Sequence, residues 1–214
     1  MMDFNIAEYI RFISLAIVPF MFAITVHEFS HGMSAYLLGD DTAKRAGRLT
    51  LNPIAHIDLF GLLFLIITRL FGWAKPVPVN YANLYRKTRY GPAIVAVAGP
   101  ASNLALAIVS AVALRLMYNI EVQADGLAYK ILVPLAGMLK LSVSINLALF
   151  IFNLIPIPPL DGGRIVTNFL PYDKAVKFAA IERYGFIIIL VLFLTRAIDY
   201  ILMPVMNFFM NILL

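Results

Sequence analysis

The chain has 214 residues, of which 62% are hydrophobic and 14% are charged, and its formal net charge is +5. A soluble globular domain has about 45–50% apolar and about 25% charged residues, so the composition excludes an ordinary soluble fold and predicts an all-α, multi-pass membrane protein. The absence of cysteine excludes disulfides and cysteine-based zinc sites, and the basic excess is ascribed to membrane topology and not to nucleic acid.

The first apolar run predicts a membrane-spanning helix from about Tyr9 to Leu38, longer than the roughly 20 residues that a span needs. No small-residue cleavage site follows the run, so we expect no secretory signal. Its last third carries His27, Glu28 and His31 in the pattern H-E-x-x-H. On a helix the two histidines lie one turn apart and can share a metal ion, while Glu28 can activate water without being a ligand. A zinc site then needs a third protein ligand from elsewhere in the chain.

Residues 57–73 are apolar but interrupted, and their longest clean stretch, residues 59–68, is too short to span a membrane. We predict a re-entrant or surface hairpin here, within a re-entrant and extended region of about residues 57–85. Residues 75–80 alternate valines with prolines and are expected to form an extended edge segment, because proline cannot donate to a sheet ladder. His56 could approach the metal, but we interpret it as a structural loop histidine because the metal already has enough ligands.

Two further spans are predicted at about residues 92–117 and 131–155. The second span contains Gly99 and Asn103, in a stretch whose small residues permit close contact between helices. Two roles remain open for Asn103: binding of the substrate or the oxyanion, and polar packing between helices. The third span ends in a break rich in proline and glycine. This break carries Asp161, the candidate third metal ligand, which taken alone is also typical of a turn. The apolar residues 186–214 fit one tilted span or a short helix plus an interfacial one.

The distribution of lysine and arginine predicts the topology. Residues 39–91 hold eight and residues 156–185 hold four of the 17 basic residues, whereas residues 118–130 hold one. The positive-inside rule places both basic-rich stretches in the cytoplasm, so the first and third spans descend to the same side and bring Asp161 to His27 and His31. The competing interpretation, two core histidines without a metal, leaves a buried Glu28 in need of its own partner, which is costly in a membrane.

Three motifs together resemble the site-2 protease family of intramembrane zinc metalloproteases, over about residues 9–185: His27-Glu28-x-x-His31, Gly99-Pro100-x-x-Asn103 and Asn153-x-x-Pro156-x-Pro158-x-x-Asp161-Gly162. The resemblance implies a three-helix catalytic core in which the positions of His27, His31 and Asp161 hold one Zn²⁺ per chain and Glu28 is the catalytic acid.

The same resemblance implies that Asn153 lies near the site and helps to hold the substrate or the developing oxyanion. It also implies that residues 75–80, with Val77 and Val79, pair with an unwound substrate through the backbone. Compared with larger relatives, we expect neither an inserted PDZ module, because only residues 118–130 link the second and third spans, nor an appended soluble C-terminal domain. We therefore expect a single integral-membrane protease domain over residues 1–214.

The leading functional hypothesis is an intramembrane zinc endopeptidase. It would cut single-span membrane proteins near the cytoplasmic face of the bilayer, with zinc-activated water and Glu28 as general base. One alternative is a metal or solute transporter, because broken helices with His and Asp at membrane depth also suit carriers, although no inverted repeat supports it. The other is an inactive scaffold that binds membrane proteins, against which the intact ligand set argues. The sequence leaves the substrate, the cleavage trigger, the gating mechanism and the oligomeric state open.

Overall fold

The structure, a computed structural model, describes residues 5–68, 72–121 and 126–214. Within these residues the regular secondary structure is helical, and the sole β-type pairing is one isolated bridge. The helices are α1 (Ile6–Leu37), α2 (Thr42–Arg45), α3 (Leu59–Thr68), α4 (Tyr81–Lys87), α5 (Gly91–Tyr118), α6 (Leu127–Asn153), α7 (Asp161–Phe169), α8 (Tyr172–Ala179), α9 (Glu182–Leu194) and α10 (Ala197–Leu213), with a short 3₁₀ turn at Pro53–Ala55. The predicted all-α fold is confirmed.

Three helices, α1, α5 and α6, are long and apolar enough to cross a membrane. They correspond to the three predicted spans, with ends that differ by no more than four residues. The three helices pack against one another, and α7 packs on α5. Between α5 and α6 the contact is made by small and branched side chains that are almost completely buried, Ala107, Ala111, Val143 and Leu147.

The C-terminus of α1 is fixed by a glycine. Gly39 has a φ of +91°, a conformation that glycine adopts without strain. Its amide donates to the carbonyl of Tyr36, and the amide of Asp40 donates to the carbonyl of Ala35. This pair of bonds is the Schellman motif that terminates helices. It turns the chain at the C-terminal end of α1, where Asp40 follows directly.

The two ends of the α3 segment lie next to each other, as either form of the predicted hairpin, re-entrant or surface, requires. Ile57 and Ala74 form an antiparallel bridge, and the amide of Lys75 donates to the carbonyl of His56 at 2.9 Å. Residues 75–80, which follow, form no ladder with another described segment. The backbone of residues 75–80 is therefore not paired with a strand from the described part of this chain.

The C-terminal apolar region consists of two helices and not one straight span. The axes of α9 and α10 differ by 75°, and Arg196 between them has a φ of 57°. A left-handed conformation in a residue with a side chain interrupts the helix, so residues 186–214 do not form one straight helix.

Asp161 is the first residue of α7 and does not lie in a free turn. The two following glycines allow α7 to begin directly against the preceding chain, because a Cβ at position 163 would lie 2.5 Å from the nitrogen of Pro158. The Pro- and Gly-rich break of the sequence is thus a tightly packed corner that fixes where the Asp161 carboxylate lies.

Candidate metal centre

Three ligand atoms meet at one point between α1 and the start of α7. The Nε2 atoms of His27 and His31 are 3.0 Å apart, and each lies 3.2 Å from Oδ2 of Asp161. All three side chains are buried. Ligands at 2.0–2.1 Å from a tetrahedral zinc ion would be separated by about 3.3 Å, so the triangle has nearly the size that zinc requires.

Hydrogen bonds behind the two imidazoles orient them toward this point. Nδ1 of His27 lies 2.6 Å from Oδ1 of Asn103, and Nδ1 of His31 lies 2.7 Å from the carbonyl oxygen of Val95. The Val95 carbonyl can only accept, and the amide nitrogen of Asn103 is directed elsewhere, so both histidines carry their proton on Nδ1. In the neutral imidazoles each Nε2 then has its lone pair directed at the other two ligand atoms, the arrangement seen in metal-bound histidines.

Oδ2 of Asp161 is buried and has no hydrogen-bond donor among the described residues. It faces the two Nε2 lone pairs, so three electron-rich atoms share one small space. Only a cation, or protons in its place, can hold such atoms together. Two imidazoles and one carboxylate, with a fourth position open toward a cavity, are a typical ligand set of catalytic zinc. The residues therefore fit a zinc ion.

Gly99 on α5 allows this helix to lie directly on the two imidazoles. A Cβ at position 99 would lie 2.6 Å from Cε1 of His31 and 2.7 Å from Cε1 of His27, closer than real Cβ contacts occur. The glycine of the sequence motif is thus explained by the space that the histidine rings occupy.

Glu28 lies next to the metal ligands but is not one of the three. Its side chain is buried, and Oε2 accepts a hydrogen bond of 2.8 Å from the backbone amide of Val77. The 75–80 segment thus contacts the carboxylate that the sequence analysis predicts to be the general base.

A cavity of about 740 Å³ opens beside the site, and its wall includes all three ligand side chains and Glu28. Val77, Val79 and Asn153 also line it. One amide hydrogen of Asn153 is used in a 3.0 Å bond to the carbonyl of Leu149, which leaves the other for a bound molecule. A cavity of this size holds several residues of an extended peptide beside the metal ligands.

The structure places Asn103 behind His27 and not on the cavity wall. Its side chain is fully buried, and Nδ2 donates to the carbonyl of Ala23 at 3.2 Å and to Oδ1 of Asn146 at 2.9 Å. With Oδ1 facing His27, the polar atoms of Asn103 all have protein partners. This geometry favours inter-helix packing and support of His27 over contact with a substrate.

A buried polar network continues from Asn103 into α6, which our sequence analysis did not identify. Asn146 donates to Ser142, and the hydroxyl of Ser142 lies 2.8 Å from that of Ser110. The signal was present in the sequence, because polar residues inside an apolar span are costly unless they have partners.

His56 is fully buried away from the three ligand residues. Its Nε2 lies 2.8 Å from the carbonyl oxygen of Thr50. This contact fits the interpretation of His56 as a structural loop histidine.

Comparison with known proteins points to the same chemistry. Residues 120–195 match the family model of Peptidase family M50. The chain is 42% identical over 193 residues to "Putative zinc metalloprotease YwhC" of Bacillus subtilis (strain 168), a match that covers 89% of this chain and 85% of that protein. It is 30% identical over 197 residues to "Putative zinc metalloprotease Rip2" of Mycolicibacterium smegmatis, which covers 90% of this chain and 71% of that protein. No solved structure matches the chain.

Proposed function

The chain belongs to the site-2 protease family, peptidase family M50, and on that premise we propose that it is an intramembrane zinc endopeptidase. The observation that carries the proposal is the convergence of His27 and His31 with Asp161, more than a hundred residues later, around one buried point. Unpaired polar groups inside a membrane are energetically costly, so a cluster of three of them indicates a functional site.

Each residue has a defined part in peptide hydrolysis. His27, His31 and Asp161 would hold the zinc ion, which would supply Lewis-acid polarisation of the scissile carbonyl and activation of a water molecule as nucleophile near neutral pH. The carboxylate of Glu28, on the cavity wall, takes the proton of the attacking water and passes it to the leaving amine. The amide of Asn153 donates a hydrogen bond to the carbonyl oxygen as negative charge develops on it.

The proposed substrate is a single-span membrane protein whose helix unwinds beside residues 75–80. Val77 and Val79 line the cavity, whereas Pro76 and Pro78 have no amide hydrogen. The segment therefore offers mainly carbonyl acceptors, and an unwound substrate has the amide hydrogens to match them. In an intact substrate helix the amide hydrogens are not available, because they already donate to the carbonyls of the helix itself.

We place the site toward the cytoplasmic side of the bilayer. Residues 39–91 and 156–185, which flank it, hold 12 of the 17 basic residues, and the positive-inside rule assigns such stretches to the cytoplasm. The antiparallel bridge between Ile57 and Ala74 brings the two flanks of the α3 segment together, which supports placing both flanks on the same face of the membrane.

Glu28→Gln tests the proposal in purified protein reconstituted with zinc and a single-span substrate. We expect cleavage to be lost while zinc remains bound, because Gln cannot accept the proton. Glu8→Gln, in the first turn of α1, is the matched control and should cleave as the wild type does. Cleavage by Glu28→Gln at the wild-type rate would refute the proposed role of Glu28.

A further inference from the structure

We propose that Asp40 is a positioning residue: it clamps residues 75–80 so that the backbone amide of Val77 holds the carboxylate of Glu28. Asp40 touches neither the metal ligands nor the cavity, so it acts through the segment alone. The expected effect on turnover rests on the proposed protease function, whereas the clamp itself can be measured without it.

The first observation is the set of donors around Asp40. Its side chain is 0% exposed, and Oδ2 accepts a hydrogen bond of 2.7 Å from the amide of Asn80. Oδ1 accepts one of 2.9 Å from Nδ2 of Asn83 and others from the amide and hydroxyl of Thr42. No cation pairs with Asp40 among the described residues. A buried carboxylate without a counter-ion is costly, so these four bonds are what keeps it in place.

Burial opposes ionisation of Asp40, but the hydrogen bonds from Thr42, Asn83 and Asn80 outweigh it and hold the pKa of the carboxyl below its ordinary value. The carboxylate is therefore charged at neutral pH, and bonds to a charged acceptor are stronger than bonds between neutral groups. Thr42 is a local partner, two residues away. Asn80 and Asn83 are about forty residues away in the sequence, so Asp40 ties two distant segments together.

The second observation is that the segment is held at its other end as well. The carbonyl of Lys75 accepts a hydrogen bond of 2.7 Å from Nη2 of Arg48, and its amide donates to His56. Between the two ends, Val79 packs on the buried side chains of Ala35 and Leu84. Three residues span at most about 10 Å, so an anchor at position 80 fixes the register of position 77 closely.

The third observation is the sequence at the contact itself. Val77 stands between Pro76 and Pro78, so it has the only backbone N–H of the three residues, and this N–H donates to Oε2 of Glu28 at 2.8 Å. A shift of the segment by one residue would present a proline to Glu28 and remove the bond. The clamp at Asp40 therefore sets whether the proposed general base has its donor.

The test is Asp40→Asn in the full-length, zinc-loaded protein. Asn has the same shape, but its NH₂ group faces donors where the carboxylate accepted. We expect zinc content to stay at the wild-type level and the amides of Val77 and Asn80 to exchange with deuterium about tenfold faster. We also expect kcat on a single-span substrate to fall about tenfold, within the range that small misplacements of catalytic groups produce.

Asp41→Asn is the matched control, because Asp41 is the next residue but forms an exposed pair with Arg45. It should leave exchange and turnover unchanged. Asn83→Ala removes one of the four donors and serves if Asp40→Asn does not fold, with a smaller effect in the same direction. Val77→Pro completes a double-mutant cycle: once the Val77 amide is gone, Asp40→Asn should lower kcat no further.

Wild-type exchange and wild-type kcat in Asp40→Asn would overturn the inference while leaving the protease proposal intact. If Asp40→Asn lowered kcat equally in the wild type and in Val77→Pro, the inference would also be overturned, because Asp40 would then act by a route that does not need the Val77 amide. If the zinc-loaded wild type cleaves no single-span substrate, the protease proposal fails, and the exchange comparison alone decides whether the clamp exists.

Discussion

Nδ1 of His27 on α1 lies 2.6 Å from Oδ1 of Asn103 on α5. Asn103 in turn donates to Asn146 on α6 at 2.9 Å. One hydrogen-bonded chain therefore links a proposed metal ligand to all three membrane-spanning helices. The orientation of His27 depends on the packing of the whole core and not on α1 alone, and changes far from the cavity should alter the affinity for zinc.

Asn103→Leu tests this dependence. The change removes the acceptor of His27 and leaves the carbonyl of Ala23 and the side chain of Asn146 without their donor. Loss of such a supporting partner typically weakens metal binding about 10–100-fold. Competition with a chelator measures the zinc affinity. Asn119→Leu, at the exposed end of the same helix, should bind zinc as the wild type does, and equal affinity in the two variants would contradict the assignment.

Gly99→Ala should abolish zinc binding, because its Cβ would overlap the rings of His27 and His31. Gly137→Ala provides a control within another span, since its Cβ would meet only Cδ1 of Leu15 at an ordinary 3.6 Å. Elemental analysis of the two purified variants makes the comparison. Stoichiometric zinc in Gly99→Ala would show that α5 does not lie against the metal centre in this way.

Asn153→Ala should lower kcat by about 100-fold, the usual cost of losing one donor to a developing oxyanion. Zinc content should not change, because Asn153 lines the cavity without belonging to the metal-binding group. Steady-state cleavage of a single-span substrate supplies both kinetic constants. A rise in KM with an unchanged kcat would assign Asn153 to substrate binding in the ground state and refute the oxyanion role.

The stabilisation that Asp40 provides should depend on pH. The pKa of Asp40 is lower in the folded protein than in the unfolded chain. The contribution is therefore present in full above the unfolded-state pKa, about 3.9, and is lost as the pH falls through the folded-state pKa. Melting temperatures of the wild type and Asp40→Asn across the pH range give the difference. A difference that grows as the solution becomes more acidic would contradict this sign.

The sequence predicted those parts of the site that follow from local rules. Helical periodicity places His27 and His31 on one face, and the count of basic residues brings Asp161 to the same side. The sequence did not predict the contacts that depend on tertiary packing, such as those of Asp40 with Asn80 and of Asn103 with Asn146. These bonds join residues about forty positions apart, and nothing in the local pattern specifies the partner.

The C-terminal bend illustrates the same limit. Arg196 adopts a left-handed conformation between two apolar helices, although neither glycine nor proline marks the position in the sequence. The break follows from how α9 and α10 pack, with Ile189 of one helix and Ile198 of the other in a single buried cluster. Hydropathy alone could not predict the left-handed residue that separates the two helices.

The zinc content of purified wild-type protein and of Asp161→Ala tests the central claim most directly. The two histidines and Asp161 come from segments far apart in the sequence, and a shared zinc ion accounts for the 3.2 Å separation of each Nε2 from Oδ2 of Asp161. Asp173→Ala, a substitution on α8, controls for the loss of one carboxylate. We predict about one zinc per chain in the wild type and the control and its loss in Asp161→Ala, as three-ligand sites require. Full zinc occupancy in Asp161→Ala, or none in the wild type, would contradict the account.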